Sequence, residues 1–147
     1  MKRKHAQRFC MAAFVDEVMG ADYSLGNMDC FMLIILYLRR RGVKLPDEFK
    51  GQNLHSYSEL YECESDKAKL IMTELMDSIF GEGQPDRARP GDVVLVKVRA
   101  KNHPAFLAIN AGNGFIVFAA KAEGVMVSPI KYYRILRGWK WQAPAYT

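Results

Sequence analysis

Cys30 and His103 are the two residues whose types can share nucleophilic chemistry. A cysteine followed far downstream by a histidine is a candidate nucleophile and base. Cys30 ends the stretch Tyr23-Ser24-Leu25-Gly26-Asn27-Met28-Asp29-Cys30 and opens the apolar run Phe31 to Leu38. The unpaired N–H groups and the dipole of a helix N-terminus favour a thiolate over a thiol. An ordinary thiol, with a pKa near ~8.5, is mostly protonated at neutral pH, so an adjacent imidazole is needed to form a thiolate–imidazolium pair. His103 stands at the head of Pro104-Ala105-Phe106-Leu107-Ala108-Ile109, where a strand would hold it rigidly.

The remaining cysteines read differently. Cys10 falls on the apolar face of the first helical pattern, as a small core residue. Cys63 sits among Glu62, Glu64 and Asp66, whose charges oppose thiolate formation. Three cysteines with no CxxC and no Cys/His cluster suggest neither a disulfide framework nor a zinc site, and a reducing compartment. No metal or cofactor is expected. His5 and His55 lie in polar contexts and read as surface residues.

The elements that must position Cys30 and His103 follow from periodicity. Ala6 to Met19 shows Phe9, Cys10, Ala13, Phe14 and Val18 at helical spacing, with Gly20 as the stop. Cys30 to Arg41 is apolar on nearly every face, which predicts a central, buried helix with Asp29 as N-cap and Gly42 as terminator. His55 to Glu59 has capping-box spacing, with Ser56 and Glu59 in the two roles. Glu59 to Phe80 is then helical, broken near Ser65, with a core face of Leu70, Ile71, Leu75, Met76 and Ile79.

After a Gly/Pro-rich loop the period changes. Asp92 to Arg99, Pro104 to Asn110, Phe115 to Ala120 and Val125 to Ser128 read as strands, and Ile135 to Trp141 as a fifth. Gly112-Asn113-Gly114 is a hairpin turn. Trp139 and Trp141 would face one side of the last strand. Helices first and a strand meander second predict an α+β fold, with N-terminal helices packed on one face of a C-terminal antiparallel sheet. A single domain over 1–147 is expected, with a helical part at 1–80 and a sheet part at 90–141.

Composition sets the class. The chain has 147 residues, half of them hydrophobic, enough for one domain with a true core. A net charge of +5 suits an anionic partner, but Lys2-Arg3-Lys4 and Arg39-Arg40-Arg41 read as solvated helix ends. No aromatic residues interleave with them, so nucleic acid is not an expected partner. Met1 to Val15 starts like a signal peptide but is interrupted by Arg8 and lacks a cleavage site. The apolar run from Cys30 to Leu38 is too short to span a bilayer, so membrane insertion is not expected.

These residues together resemble the NlpC/P60 superfamily of papain-like cysteine peptidases, in particular the divergent versions carried by tailed bacteriophages. The resemblance rests on Tyr23, Gly26-Asn27 and Asp29-Cys30 before the central helix. It continues through Arg39 to Arg41, Gly42 and Leu45-Pro46, then Pro90-Gly91-Asp92 opening the first core strand, then His103 and Gly112-Asn113-Gly114. It implies a papain-like fold with Cys30 as nucleophile and His103 as base. It also implies Tyr23 lining the substrate cleft, Asp29 as a second substrate-side candidate, and the N–H of Cys30 assisting the oxyanion.

The implied function is a thiol protease, a hydrolase cleaving peptidoglycan stem peptides, acting as a tail-tip component in wall penetration. Tail-tip or baseplate proteins would be its partners. The virion would be its location if phage-encoded, and otherwise synthesis in the bacterial cytoplasm without a signal peptide. Two departures shape the alternatives. Phe31 and Met32 follow the nucleophile, where the family has small residues. The third, orienting residue would fall near Phe118, and Phe115 to Ala120 holds no polar side chain. Asn110 and Asn102 are substitutes from elsewhere. The enzyme reading is therefore a Cys–His dyad. The alternatives are a catalytically weak or inactive structural tail-tip or baseplate protein of the same fold, and a cysteine amidase or acyltransferase on another amide.

Overall fold

The computed structural model describes residues 8–24, 28–54, 65–100 and 102–142. It is a mixed helical and antiparallel-sheet fold. Among the described residues the order is α1 (Met11–Val18), α2 (Cys30–Arg40), a two-stranded ribbon of β1 (Glu48–Phe49) and β2 (Gln52–Asn53), and α3 (Ser65–Phe80). Five strands follow: β3 (Val93–Val98), β4 (Phe106–Gly112), β5 (Phe115–Ala120), β6 (Gly124–Pro129) and β7 (Tyr133–Trp139). A 3-10 turn at Ile130–Tyr132 joins β6 to β7.

The central position of α2 follows from its sequence. Phe31, Leu33, Ile34, Ile35, Tyr37 and Leu38 are all fully buried. Each large apolar side chain withdrawn from water contributes roughly 1.5–3 kcal/mol before entropy is counted. The helix ends where its caps say it should. Gly42 N–H bonds Arg39 O and Val43 N–H bonds Leu38 O, each at 2.9–3.0 Å, the pairing of a Schellman motif.

The sheet runs β6-β5-β4-β3-β7 with every neighbour antiparallel. Asn113 and Gly114, both at positive φ, form the two-residue turn between β4 and β5. Asn-Gly suits that turn because its backbone twist matches the twist of the strands. The helices cover one face, where Val93, Leu107, Ile109, Val117, Val125 and Trp139 join the core of α1, α2 and α3. The opposite face has its own cluster of Val94, Val96, Ala108, Ile116, Phe118 and Tyr133. The Tyr133 hydroxyl donates to Ser128 Oγ at 2.9 Å, so the start of β7 is tied to the end of β6 although they belong to opposite edges of the sheet. The sheet therefore curls around this second cluster.

Several expectations need correction. Residues 8–10 precede the first helix, and Cys10 has extended backbone and is exposed. It is not a core residue, because a helix starting at Met11 does not carry it onto the apolar face. Leu70 is 59% exposed. At about 100° per residue it lies opposite the stripe of Ala68, Met72, Leu75 and Met76 that is buried. Arg41 is not a solvated helix end. Its guanidinium lies 3.8 Å from the Trp141 ring centre and 5.0 Å from that of Phe9. Glu48 to Asn53, for which the sequence pattern names no element, forms the small ribbon, with Lys50 and Gly51 at positive φ in its turn. The Ser56/Glu59 capping box, Cys63, His5, His55 and the Gly26-Asn27 turn lie outside the described residues.

Candidate active site

Cys30 is the first residue of α2. Asp29 precedes it with extended backbone, is fully buried, and accepts from Phe31 N–H at 3.0 Å and Met32 N–H at 2.8 Å through Oδ1. This is an N-cap that holds the first turn in place. The buried side chains behind it anchor the helix, so Cys30 is presented from a rigid base. Cys30 is 7% exposed and not in a disulfide.

The chain reaches this helix along a path that the sheet fastens. Gly20 N–H bonds Val125 O and Val125 N–H bonds Ala21 O, both at 2.9 Å. Gly124 makes the approach feasible, because a Cβ there would run into the Ala21 carbonyl oxygen. Tyr23 follows, half-buried, and Ser24 then pairs with Met28 through two backbone hydrogen bonds of 2.9 and 2.6 Å. The pairing brings the chain back to Asp29 directly beside Tyr23.

Cys30, His103 and Tyr23 line one cleft of about 390 Å³. The sheet supplies its other wall through Pro104 to Phe106 and Phe118 to Lys121, and α3 supplies Lys69. His103 is exposed, in the segment that leads into β4. Asp29 is not part of the lining; the structure places it in the cap and not at the cleft surface. The cleft's charged lining residues are Lys69 and Lys121, and no described lining residue is a carboxylate. Such a wall attracts a substrate that carries carboxylates.

No sequence pattern singles out Lys69. It sits at the edge of the buried stripe of α3, where helical periodicity gives no functional signal. Its Nζ donates to the carbonyl of Ala105 at 3.2 Å and lies 3.4 Å from Asp66 Oδ1. It therefore ties α3 to the segment carrying His103. Lys121 lacks a sequence signal for a different reason: it lies in the turn after β5, and the β4–β5 pairing sets that turn beside the segment leading into β4.

The expected position of the orienting residue is apolar in structure as in sequence. Phe118 lines the cleft, and its ring centre lies 4.8 Å from that of Phe106 and 5.8 Å from that of Tyr133. A packing role accounts for a phenylalanine here. Neither asparagine substitutes for it. Asn110 is buried and spends Oδ1 on Gly112 N–H at 2.9 Å, and Asn102 lines a separate groove. Asp92, the residue of the Pro90-Gly91-Asp92 turn, is buried and structural. Its carboxylate accepts from Arg87 Nε and from Trp141 N–H at 2.9 and 2.8 Å.

Trp139 and Trp141 both pack on the helical side of the sheet, as their spacing predicts. The Trp139 indole N–H donates to Asp77 Oδ1 at 2.8 Å. Among the described residues, no group of three or more His, Cys, Asp or Glu side chains could hold a metal ion. No helix among them is long and apolar enough to cross a membrane.

No curated protein matches the sequence. A family profile does, over residues 2–141, which takes in the whole cleft and both of its candidate reacting groups. The chain accordingly belongs to the family described as Domain of unknown function (DUF6950).

Proposed function

We propose that the chain is a cysteine hydrolase of the papain-like NlpC/P60 type that cleaves stem peptides of peptidoglycan, as a tail-tip component of a tailed bacteriophage. One observation carries the reading: Cys30, at the N-terminus of a buried helix, and His103, far away in sequence, line the same cleft. Tyr23 shares the lining, as the resemblance implies. The basic wall suits a stem peptide, which bears free carboxylates. The phage and tail-tip assignment rests on the resemblance in sequence.

The chemistry follows from the two groups. His103 takes the Cys30 Sγ proton as the sulfur adds to the amide carbon. The C–N bond breaks as the imidazolium returns that proton to the leaving amine, leaving a thioester. Water then attacks the thioester, His103 accepts its proton, and the thiolate leaves to release a carboxylate product. Lys69, through Ala105, would steady the segment that carries the imidazole.

Phe118 favours a second reading, a catalytically weak or inactive structural protein of the tail tip or baseplate with the same fold. A Cys–His pair without an orienting group loses much of its rate. Digestion of purified peptidoglycan by wild type and Cys30→Ala, read by mass spectrometry of released peptides, separates the two. Release by wild type alone supports the hydrolase. If both leave the wall intact, the hydrolase reading fails and the structural one stands. Cleavage or transfer on a different amide, with the wall untouched, moves the assignment to a cysteine amidase or acyltransferase.

A further inference from the structure

A second concavity, of about 360 Å³, lies between the end of β3 and the start of β7, lined by Lys97, Val98, Arg99, Ala100, Asn102 and Arg134. Three of these six residues are cations. No carboxylate of the described residues pairs with any of them. The register makes the arrangement more pointed. Lys97 and Arg134 are direct partners across the β3–β7 pair, so their side chains leave the same face of the sheet opposite each other. Like charges at directly opposed positions destabilise a sheet. Arg99 is held over the same site, with Nε donating to Lys131 O at 3.2 Å and its backbone N–H to Tyr132 O at 3.0 Å.

We propose that this groove binds the phosphate groups of a base-free phosphodiester polymer, such as a polyol-phosphate chain, with an anion bridging Lys97 and Arg134. A bound phosphate turns the opposed cations from a cost into a clamp. Guanidinium supplies a planar pair of donors to phosphate oxygens and ammonium supplies a point charge. The lining argues against nucleic acid, because it contains no aromatic ring on which a base could stack. Tyr132 is exposed outside this lining, with its ring 5.5 Å from the Lys131 ammonium. A polymer is favoured over a single ion by position. Asn102 lines the groove and His103, the next residue, lines the cleft, so the groove adjoins the cleft and an extended chain can occupy more of this surface than one ion. The proposal concerns binding and does not depend on Cys30 being a nucleophile.

The test is calorimetric titration and thermal melting of the full chain at low salt with three probes: inorganic phosphate, poly(glycerol phosphate) and oligo(dT). Wild type should melt higher with phosphate and bind poly(glycerol phosphate) more tightly than an equal concentration of phosphate groups supplied as the free ion. Arg134→Gln should weaken polymer binding about tenfold, the loss of one charge-assisted contact. Lys97→Glu should melt higher than wild type without any anion, because it replaces repulsion by an ion pair, and should lose the response to phosphate. Lys140→Gln, a distant exposed cation, should bind as wild type does. An unchanged response in Arg134→Gln, or an equal loss in Lys140→Gln, would overturn the site. Tighter binding of oligo(dT) than of poly(glycerol phosphate) would overturn the base-free assignment.

Discussion

Lys69 on α3 donates to the carbonyl of Ala105, two residues beyond His103, across a distance of 3.2 Å. The contact joins the helical half of the molecule to the irregular segment that leads into β4 and carries His103. Misplacing a reacting group by an ångström costs on the order of 10²-fold in rate. Lys69→Met keeps the apolar stem and removes the donor. Turnover should fall about tenfold to a hundredfold, with melting temperature little changed. A rise in KM at constant kcat would instead make Lys69 a contact for substrate carboxylates.

Asp29 is the second case where structure and role can be separated. Its carboxylate caps α2, and asparagine caps about as well as aspartate. Asp29→Ala should cost about 1–2 kcal/mol of stability, measured by urea unfolding. Asp29→Asn should stay within a few tenths of a kcal/mol of wild type and keep its activity. Normal stability with lost substrate binding in Asp29→Asn would restore a substrate-side role.

Phe118 should prove to be a packing residue. It closes a triangle of rings with Phe106 and Tyr133 in the cluster enclosed by the curled sheet. Phe118→Ala should destabilise the fold by about 3–5 kcal/mol. A loss under about 1 kcal/mol, well below the usual cost of such a truncation, would show that packing does not explain the apolar side chain at this position.

Tyr37 gives a pH signature to the far end of α2. Its hydroxyl donates to Gly91 O at 2.5 Å and accepts from Arg41 Nη1 at 2.9 Å. Burial pushes its pKa above the ordinary value, and the Arg41 guanidinium offsets part of that rise. As pH climbs past about 10, the unfolded chain loses this proton first. The stabilisation is therefore complete below that pH and is lost as pH rises through the folded value. Urea unfolding from pH 8 to 11 should show a steeper alkaline decline in wild type than in Tyr37→Phe. Parallel curves would assign the decline to other groups. At neutral pH Tyr37→Phe should cost about 1–3 kcal/mol, from the donor lost to Gly91 and the acceptor lost to Arg41.

A fifth outcome concerns the thiols. Cys10 is exposed, so alkylating reagents will reach it on access alone. The reactivity of Cys30 must therefore be read in a Cys10→Ser, Cys63→Ser background. There, alkylation of Cys30 at pH 6 should slow about tenfold or more when His103 is replaced by glutamine, if the imidazole stabilises the thiolate. An equal rate in both proteins would separate His103 from Cys30.

Local sequence patterns were enough to place most of the elements and to single out Cys30 and His103 as candidates, which the structure sets on one cleft. The apolar run Phe31 to Leu38 has one outcome, a buried helix, and Asp29 has the side chain that caps it. Alternation and Asn113-Gly114 set the strands and their hairpin, because strand periodicity and turn chemistry are local properties. That local logic failed for Cys10 and Leu70, where the helix start and the angular position of the buried stripe are set by what packs against them. It was silent on Lys69, whose partner Ala105 lies on another element, and on the Lys97–Arg134 pair, which exists only because β7 returns to the edge of β3. Only the tertiary structure could decide which residues share a cleft with Cys30. The β4–β5 pairing sets Lys121 beside the segment of His103, and the bonds of Gly20 and Ala21 to Val125 fasten the chain that leads to Tyr23; no spacing along the chain encodes that approach.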